Sequence, residues 1–135
     1  MDKKHGLRSL THALRRLHQT LVEVARRDHE KEWGAVAPGE LLQLLTKHPG
    51  FEWLRMLSQL MASIDELIDQ DHVGNEEMHT AYTQTRTLIL NPDNVSSPFP
   101  DRYRDILQKQ PLVVMEHAAV RRQLEHIRST FGLVK

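Results

Sequence analysis

The stretch LRSLTHALRRLHQTLVEV, residues 7–24, decides the fold. Its apolar residues recur at alternating steps of three and four, which is the spacing of one face of an α-helix. These residues are Leu7, Leu10, Leu14, Leu17, Leu21 and Val24. The same positions are then taken by Asp28 and Lys31, so the apolar face ends while the helix is expected to continue to about Glu32. Other helices must cover a face this regular.

Proline and glycine mark the later helices. A short helix over residues 40–47 is expected to end before Pro49, because the residue preceding a proline is disfavoured in helical conformation. Gly74 is expected to end the long helix over residues 51–70, and Asn75 to cap the next one. Two further helices, over residues 101–109 and 111–128, follow the loop at 91–100. We therefore predict an all-α fold, an up-and-down four-helix bundle with two short extra helices, as a single domain over residues 1–135.

Two segments are unusually apolar. The apolar side chains between Trp53 and Ile68 cover an arc of about 160° at 100° per residue, which predicts neighbours on two sides or a subunit interface. The segment LVVMEHAAV, residues 112–120, is apolar nearly all round. We expect that segment to be deeply buried.

Composition disfavours several classes of function. The chain has no cysteine, so it has no thiol nucleophile, disulfide framework or thiolate metal site. Its 18 basic and 18 acidic residues balance, whereas a general nucleic-acid binder carries a basic excess. We find no nucleophile motif and no glycine-rich phosphate loop, so the sequence favours a protein without catalysis. No apolar run is long enough to span a membrane and the start shows no secretory signal, so we expect a cytoplasmic protein.

The stretch HPGFEWLRMLSQLMASIDELID, residues 48–69, resembles the signature of a family of small all-helical bacterial proteins of uncharacterised function. The similarity lies in WLR-x-LS followed by ID-E, which here are Trp53, Leu54, Arg55, Leu57, Ser58, Ile64, Asp65 and Glu66. The resemblance implies a bacterial helical protein and carries no activity with it.

The segment DELIDQDHVGNEEMH, residues 65–79, concentrates six carboxylates and two histidines around one glycine. On one helix Asp65, Asp69 and His72 share a face, and after the turn Glu76 and His79 share another. Two antiparallel helices could direct these five side chains at a divalent transition metal, which oxygen and imidazole ligands suit. A di-iron bundle needs the Glu-x-x-His pair twice, and only one copy is present.

The alternative for residues 65–79, which we name the acidic hairpin, is a solvated or salt-bridged turn. Its carboxylates crowd a helix C-terminus, where the helix dipole disfavours negative charge. In an up-and-down bundle this end lies beside the basic start of the first helix and the basic end of the last. The side chains that would compensate are Lys3, Lys4, Arg8, Arg121, Arg122 and Arg128.

Three other features are candidates for function. Glu116 and His117 lie in an apolar segment, where burial would shift a pKa, although a core histidine commonly just bonds a neighbour. A basic stripe on the first helix could bind an anion but is also what a solvated face looks like; it comprises Arg8, His12, Arg15 and Arg26, flanked by Arg16 and Arg27. Trp33 and Trp53 could anchor a partner. The leading hypothesis is protein association, as a homodimer or with a protein partner, and the alternative is a metal- or small-ligand-binding bundle.

Overall fold

The computed structural model describes residues 2–133, which contain six α-helices and no strand. The helices are α1 (Lys3–Trp33), α2 (Pro38–Lys47), α3 (Glu52–Asp69), α4 (Asn75–Thr85), α5 (Pro98–Lys109) and α6 (Pro111–Phe131). A 3-10 turn, Pro49–Phe51, leads into α3, and a π-helical turn, Arg86–Leu90, extends α4. The predicted all-α class is confirmed. No helix in this part of the chain is long and apolar enough to cross a membrane.

Helix α1 is the centre of the fold. All six residues of its predicted apolar face are buried, as Leu14 and Leu17 illustrate with no exposed surface. This face packs mainly against α3 and α6. Along α1 the contacts with α3 run backwards, because Arg15 meets Asp65 whereas His18 meets Ser58. The two helices are therefore antiparallel, and each supplies the apolar face that the other must cover.

One end of the molecule brings together the start of α1, the start of α4 and the end of α6. Gly6 is buried there, and a Cβ in its place would lie 3.4 Å from the side chains of both Met78 and Phe131. These are ordinary van der Waals distances, so Gly6 marks the point where α1, α4 and α6 meet. The acidic hairpin connects α3 to α4 at this same end.

Aromatic side chains attach α5 to the rest of the core. Phe99 is fully buried, and its ring centroid lies 5.1 Å from that of Tyr103 and 5.8 Å from that of Trp53 on α3. The Arg102 guanidinium lies over the Trp53 ring, 5.9 Å from its centroid, and donates a 2.7 Å hydrogen bond to Asp28 on α1. These contacts hold α5 against both α1 and α3.

The prediction for Gly74 and Asn75 was wrong. Helix α3 ends at Asp69, and Gly74 is the extended residue that precedes α4, with a φ of −80°. Its backbone N–H donates a 3.0 Å hydrogen bond to the carboxylate of Glu77, which satisfies a donor at the start of the helix. Asn75 is the first helical residue rather than the cap. Glycine in this sequence context marks the start of a helix, because Glu77 supplies the cap from within.

Candidate functional site

The acidic hairpin uses its first carboxylate for an ion pair. The Arg15 guanidinium donates a 2.8 Å hydrogen bond to Asp65 Oδ2, and the buried Thr11 hydroxyl lies 3.4 Å from Oδ1. Both partners are on α1, one turn apart. Asp65 is therefore engaged by the helix beside it. An exposed pair of this kind contributes less than about 1 kcal/mol to stability.

The other four predicted metal ligands do not gather into one group. Asp69 and His72 are exposed, and His72 borders a groove beside the start of α1. Glu76 and His79 border a different groove, beside the end of α6. Between residues 2 and 133, no three His, Asp or Glu side chains form a group that could hold a metal ion.

The structure does not assemble the predicted ligand set, and metal binding by these five residues stays a prediction. Elemental analysis of the purified protein tests it directly. A bound metal would also raise the melting temperature when zinc or manganese is added, because a ligand that binds only the folded state stabilises it.

Basic residues do lie beside the hairpin. The groove that His72 borders is also lined by Lys3, Lys4 and Arg8 from the start of α1, and by Phe131 from the end of α6. The chain thus places its basic start next to its acidic turn, as the alternative interpretation of the hairpin required. Arg128 instead pairs with Glu125 on its own helix, at 2.8 Å.

The later part of the basic stripe is neutralised within α1. Arg26 forms ion pairs with Glu23 and Glu30, and Arg27 forms a 3.3 Å pair with Glu23. The hydrogen bond from Arg26 lowers the pKa of the Glu23 carboxyl below its ordinary value. Arg15 is bound to Asp65 on α3, whereas the exposed Arg8, His12 and Arg16 form no ion pair within residues 2–133.

Glu116 and His117 meet a residue that sequence reasoning missed. The Tyr103 hydroxyl and the Nδ1 atom of His117 are 2.8 Å apart and share a hydrogen bond, which links α5 to α6. Oε1 of Glu116 is buried beside them and has no hydrogen-bond partner among the described residues. Burial raises the pKa of Tyr103, with a smaller contribution from the negative charge of Glu116. Burial lowers the pKa of His117, and the nearby charge of Arg121 lowers it further.

Two half-buried histidines predict a loss of stability in mild acid. Burial also lowers the pKa of His18, which lies 3.1 Å from the Ser58 hydroxyl. Because both folded-state values lie below the ordinary value of 6.5, protons bind the unfolded chain first as the pH falls. Stability should be unaffected by these groups above about pH 7 and should decrease from there towards pH 5.

Denaturant unfolding at a series of pH values measures this effect. We expect the double variant His18→Gln/His117→Gln to lose less stability than the wild type between about pH 7 and pH 5. The exposed His126→Gln provides the control and should follow the wild type. Equal pH dependence in the wild type and the double variant would mean that these two histidines do not set it.

The first half of α6 corrects another prediction. The segment 112–120 was expected to be deeply buried, but only Val113 and Val120 are. Leu112, Val114 and Met115 are 56, 48 and 67% exposed. The prediction was wrong because α1, α4 and α5 cover a single side of α6, and the helix turns its other apolar residues towards solvent.

These exposed residues form one surface. At 100° per residue, the outward side of this half-helix carries apolar side chains over an arc of about 160°. We name it the α6 face; it consists of Leu112, Val114, Met115, Ala118 and Ala119. Beyond the α6 face the surface of the helix becomes charged, because the next residues, Arg121 and Arg122, are exposed. Contiguous exposed apolar residues with a polar border are typical of interaction surfaces.

The predicted tryptophan anchors separate in the structure. Trp53 is buried in the core, whereas Trp33 is 71% exposed at the end of α1. The His29 ring lies between Trp33 and a cluster with His48 and Phe51, at centroid distances of 5.4 to 6.3 Å. Trp33 is thus a single exposed ring next to polar rings rather than part of an apolar patch.

Comparison with protein-family models, curated proteins and solved structures finds no match to this chain. The resemblance of residues 53–66 to a bacterial helical family therefore stays a prediction. Function must be argued from the surfaces that this structure presents.

Proposed function

We propose that this protein acts by association with a second copy of itself through the α6 face, and has no catalysis of its own. The observation that carries the proposal is the exposure of Leu112, Val114 and Met115 on a helix that is otherwise apolar at this end. Removing such side chains from water contributes roughly 25 cal/mol for each Å² buried. An oligomer interface is the simplest place for this surface to be covered.

A second copy suits the α6 face for two reasons. In a dimer with a two-fold axis the same surface of each subunit meets, so the α6 face of one copy covers the α6 face of the other. No other apolar surface is required. The chain also has no net charge at pH 7, so two copies do not repel each other over long range. Ala118 and Ala119 are half-buried at the end of the face next to Arg121, and their small side chains permit close approach of two helix backbones there.

We also infer that the four long helices form an up-and-down bundle, with α2 and α5 as additions. The antiparallel contacts of α1 with α3 support this arrangement, as does the meeting of the start of α1 with the end of α6. In such a bundle each helix packs on two neighbours, which leaves one side of α6 outward along its length.

Sedimentation velocity over roughly 1 to 300 µM tests the self-association. The α6 face is small compared with the interfaces of permanent dimers, so we expect a dissociation constant on the order of 10 µM. Met115→Glu should weaken self-association at least tenfold, because the new carboxylate would have to lose its bound water at the centre of the interface. Leu42→Glu makes the same kind of change on α2, where Leu42 is 64% exposed, and should leave association unchanged.

Two results would overturn the proposal. One is a wild type that sediments as a monomer at every concentration. The other is a dimer that survives Met115→Glu but is lost in Leu42→Glu, which would move the interface to α2.

A further inference from the structure

The outer surface between α3 and α4 carries a groove that the proposed dimer does not use. Two depressions, of about 380 and 460 Å³, share Ser63 and Gln84 and so adjoin along the two helices. From Met56 to Leu67 the α3 wall is about 16 Å long, which is three helical turns. We name it the α3–α4 groove. A helix laid along it would contact a row of side chains on each wall.

The two ends of the groove differ in chemistry. One end is apolar and is lined by Met56, Leu60, Leu88, Val95 and Pro100. The other end is acidic and is lined by Glu66, Glu76 and Glu77. A hydroxyl and an amide side chain, Ser63 and Gln84, lie where the two depressions adjoin.

Val95 is held in place at the apolar end. Its side chain is 56% exposed. The Asn91 side chain accepts a 3.0 Å hydrogen bond from the Val95 N–H and donates a 3.1 Å hydrogen bond to its carbonyl oxygen. Asn91 itself adopts a φ of 45°, a left-handed conformation that asparagine tolerates. These hydrogen bonds hold the Val95 backbone in place, which lowers the entropic cost of ordering this part of the loop on binding.

The three glutamates at the acidic end differ in their surroundings: Glu76 and Glu77 lie in the first turn of α4, where the helix dipole favours negative charge. Glu77 accepts the hydrogen bond from Gly74, but no Lys or Arg within residues 2–133 forms an ion pair with Glu66 or Glu76. Glu66 instead lies near the C-terminus of α3, where the helix dipole disfavours negative charge. Positive charge brought in by a partner would offset this effect at Glu66 and could pair with both carboxylates.

We propose that the α3–α4 groove binds a helix of another protein that is apolar at one end and basic at the other. Its apolar residues lie against Met56, Leu88 and Val95. Its basic residues lie against Glu66 and Glu76. The occupant is identified by complementarity: only a segment that is apolar at one end and cationic at the other matches the two ends of this groove. This binding is independent of self-association, because the α6 face lies on a different helix.

Fluorescence anisotropy with labelled synthetic helical peptides tests the proposal on the full-length protein. The probes are two three-turn peptides with the same apolar residues, one with three lysines at one end and one with three glutamates there. We expect the lysine peptide to bind at least tenfold more tightly than the glutamate peptide. Raising the salt from about 50 to 500 mM should weaken the lysine peptide markedly, since exposed charge pairs are screened.

Variants locate the peptide. Glu66→Gln/Glu76→Gln should weaken binding of the lysine peptide about fivefold, which is the effect expected from losing two exposed charge pairs. Glu32→Gln/Glu40→Gln removes the same two charges far from the groove and should have little effect. Val95→Asp should weaken binding of both peptides, whereas Met115→Glu should not weaken binding of either.

Equal binding of the two peptides would overturn the proposal, as would equal effects of the two Glu→Gln pairs. Loss of peptide binding in Met115→Glu with no effect of Val95→Asp would place the peptide on the α6 face and overturn it as well. Self-association is measured separately by sedimentation, so failure of either proposal leaves the other standing.

Discussion

Leu14→Ala is expected to lower the free energy of unfolding by about 3 kcal/mol, within the range measured for leucines that leave a cavity in a core. Leu14 has no exposed surface and lies midway along the face of α1 that packs against α3 and α6. The helices cannot close over the missing atoms without moving apart elsewhere. Denaturant unfolding followed by circular dichroism measures the loss, and the denaturant midpoint should fall while the slope stays constant.

Leu42→Ala is the matched control. It makes the same chemical change in a helix, at a side chain that is 64% exposed, and should cost less than about 0.5 kcal/mol. The contrast depends on burial alone, because leucine and alanine both favour helices. Similar losses at the two positions would mean that α1 is not the centre of the core.

Phe99→Ala should have an equal or larger effect, about 3 to 5 kcal/mol. Phe99 is fully buried between Tyr103 and Trp53, and it is the main apolar attachment of α5 to α3. Its removal also leaves the Tyr103–His117 hydrogen bond without the ring that packs against Tyr103. We expect the near-ultraviolet dichroism of Trp53 and Tyr103 to weaken before the helical signal is lost.

Trp33→Ala is the control for the aromatic change. Trp33 is 71% exposed and its ring centroid lies 6.3 Å from that of His29, so its removal should cost less than about 1 kcal/mol. If both variants lost the same stability, the aromatic cluster on α5 would not be the attachment that we describe.

The sequence predicts the helices of this fold because the residues that start and end them act locally. The apolar spacing of α1 and the prolines at 38, 49 and 111 each act within one turn, so they give the class and most boundaries without tertiary information. The end of α3 was predicted less well, because a glycine can either end a helix or precede one. The structure distinguishes these alternatives through the hydrogen bond from the Gly74 N–H to the Glu77 carboxylate, which forms only when the backbone places the two groups together.

The surfaces were harder to predict, and α6 shows why. An apolar segment is compatible with a core and with an interface, since periodicity does not reveal how many neighbours a helix has. Tyr103 was missed because it lies on another helix, 14 positions before His117, and no repeat connects them. The acidic hairpin illustrates the opposite case. Its ligand-like residues are close in sequence, yet Asp65 pairs with Arg15 and the others do not gather into one group.

The central claim is that two copies meet through the α6 face, and a distance between copies tests it most directly. The chain has no cysteine, so a single engineered cysteine carries one spin label per copy. Arg122→Cys lies just beyond the face, and His72→Cys lies in the acidic hairpin at the other end of α6. Pulsed electron paramagnetic resonance at a concentration where the protein is dimeric should give an Arg122→Cys distance below about 30 Å, since the label lies within a turn of Ala119. No dipolar coupling at Arg122→Cys, or a shorter distance at His72→Cys than at Arg122→Cys, would contradict it.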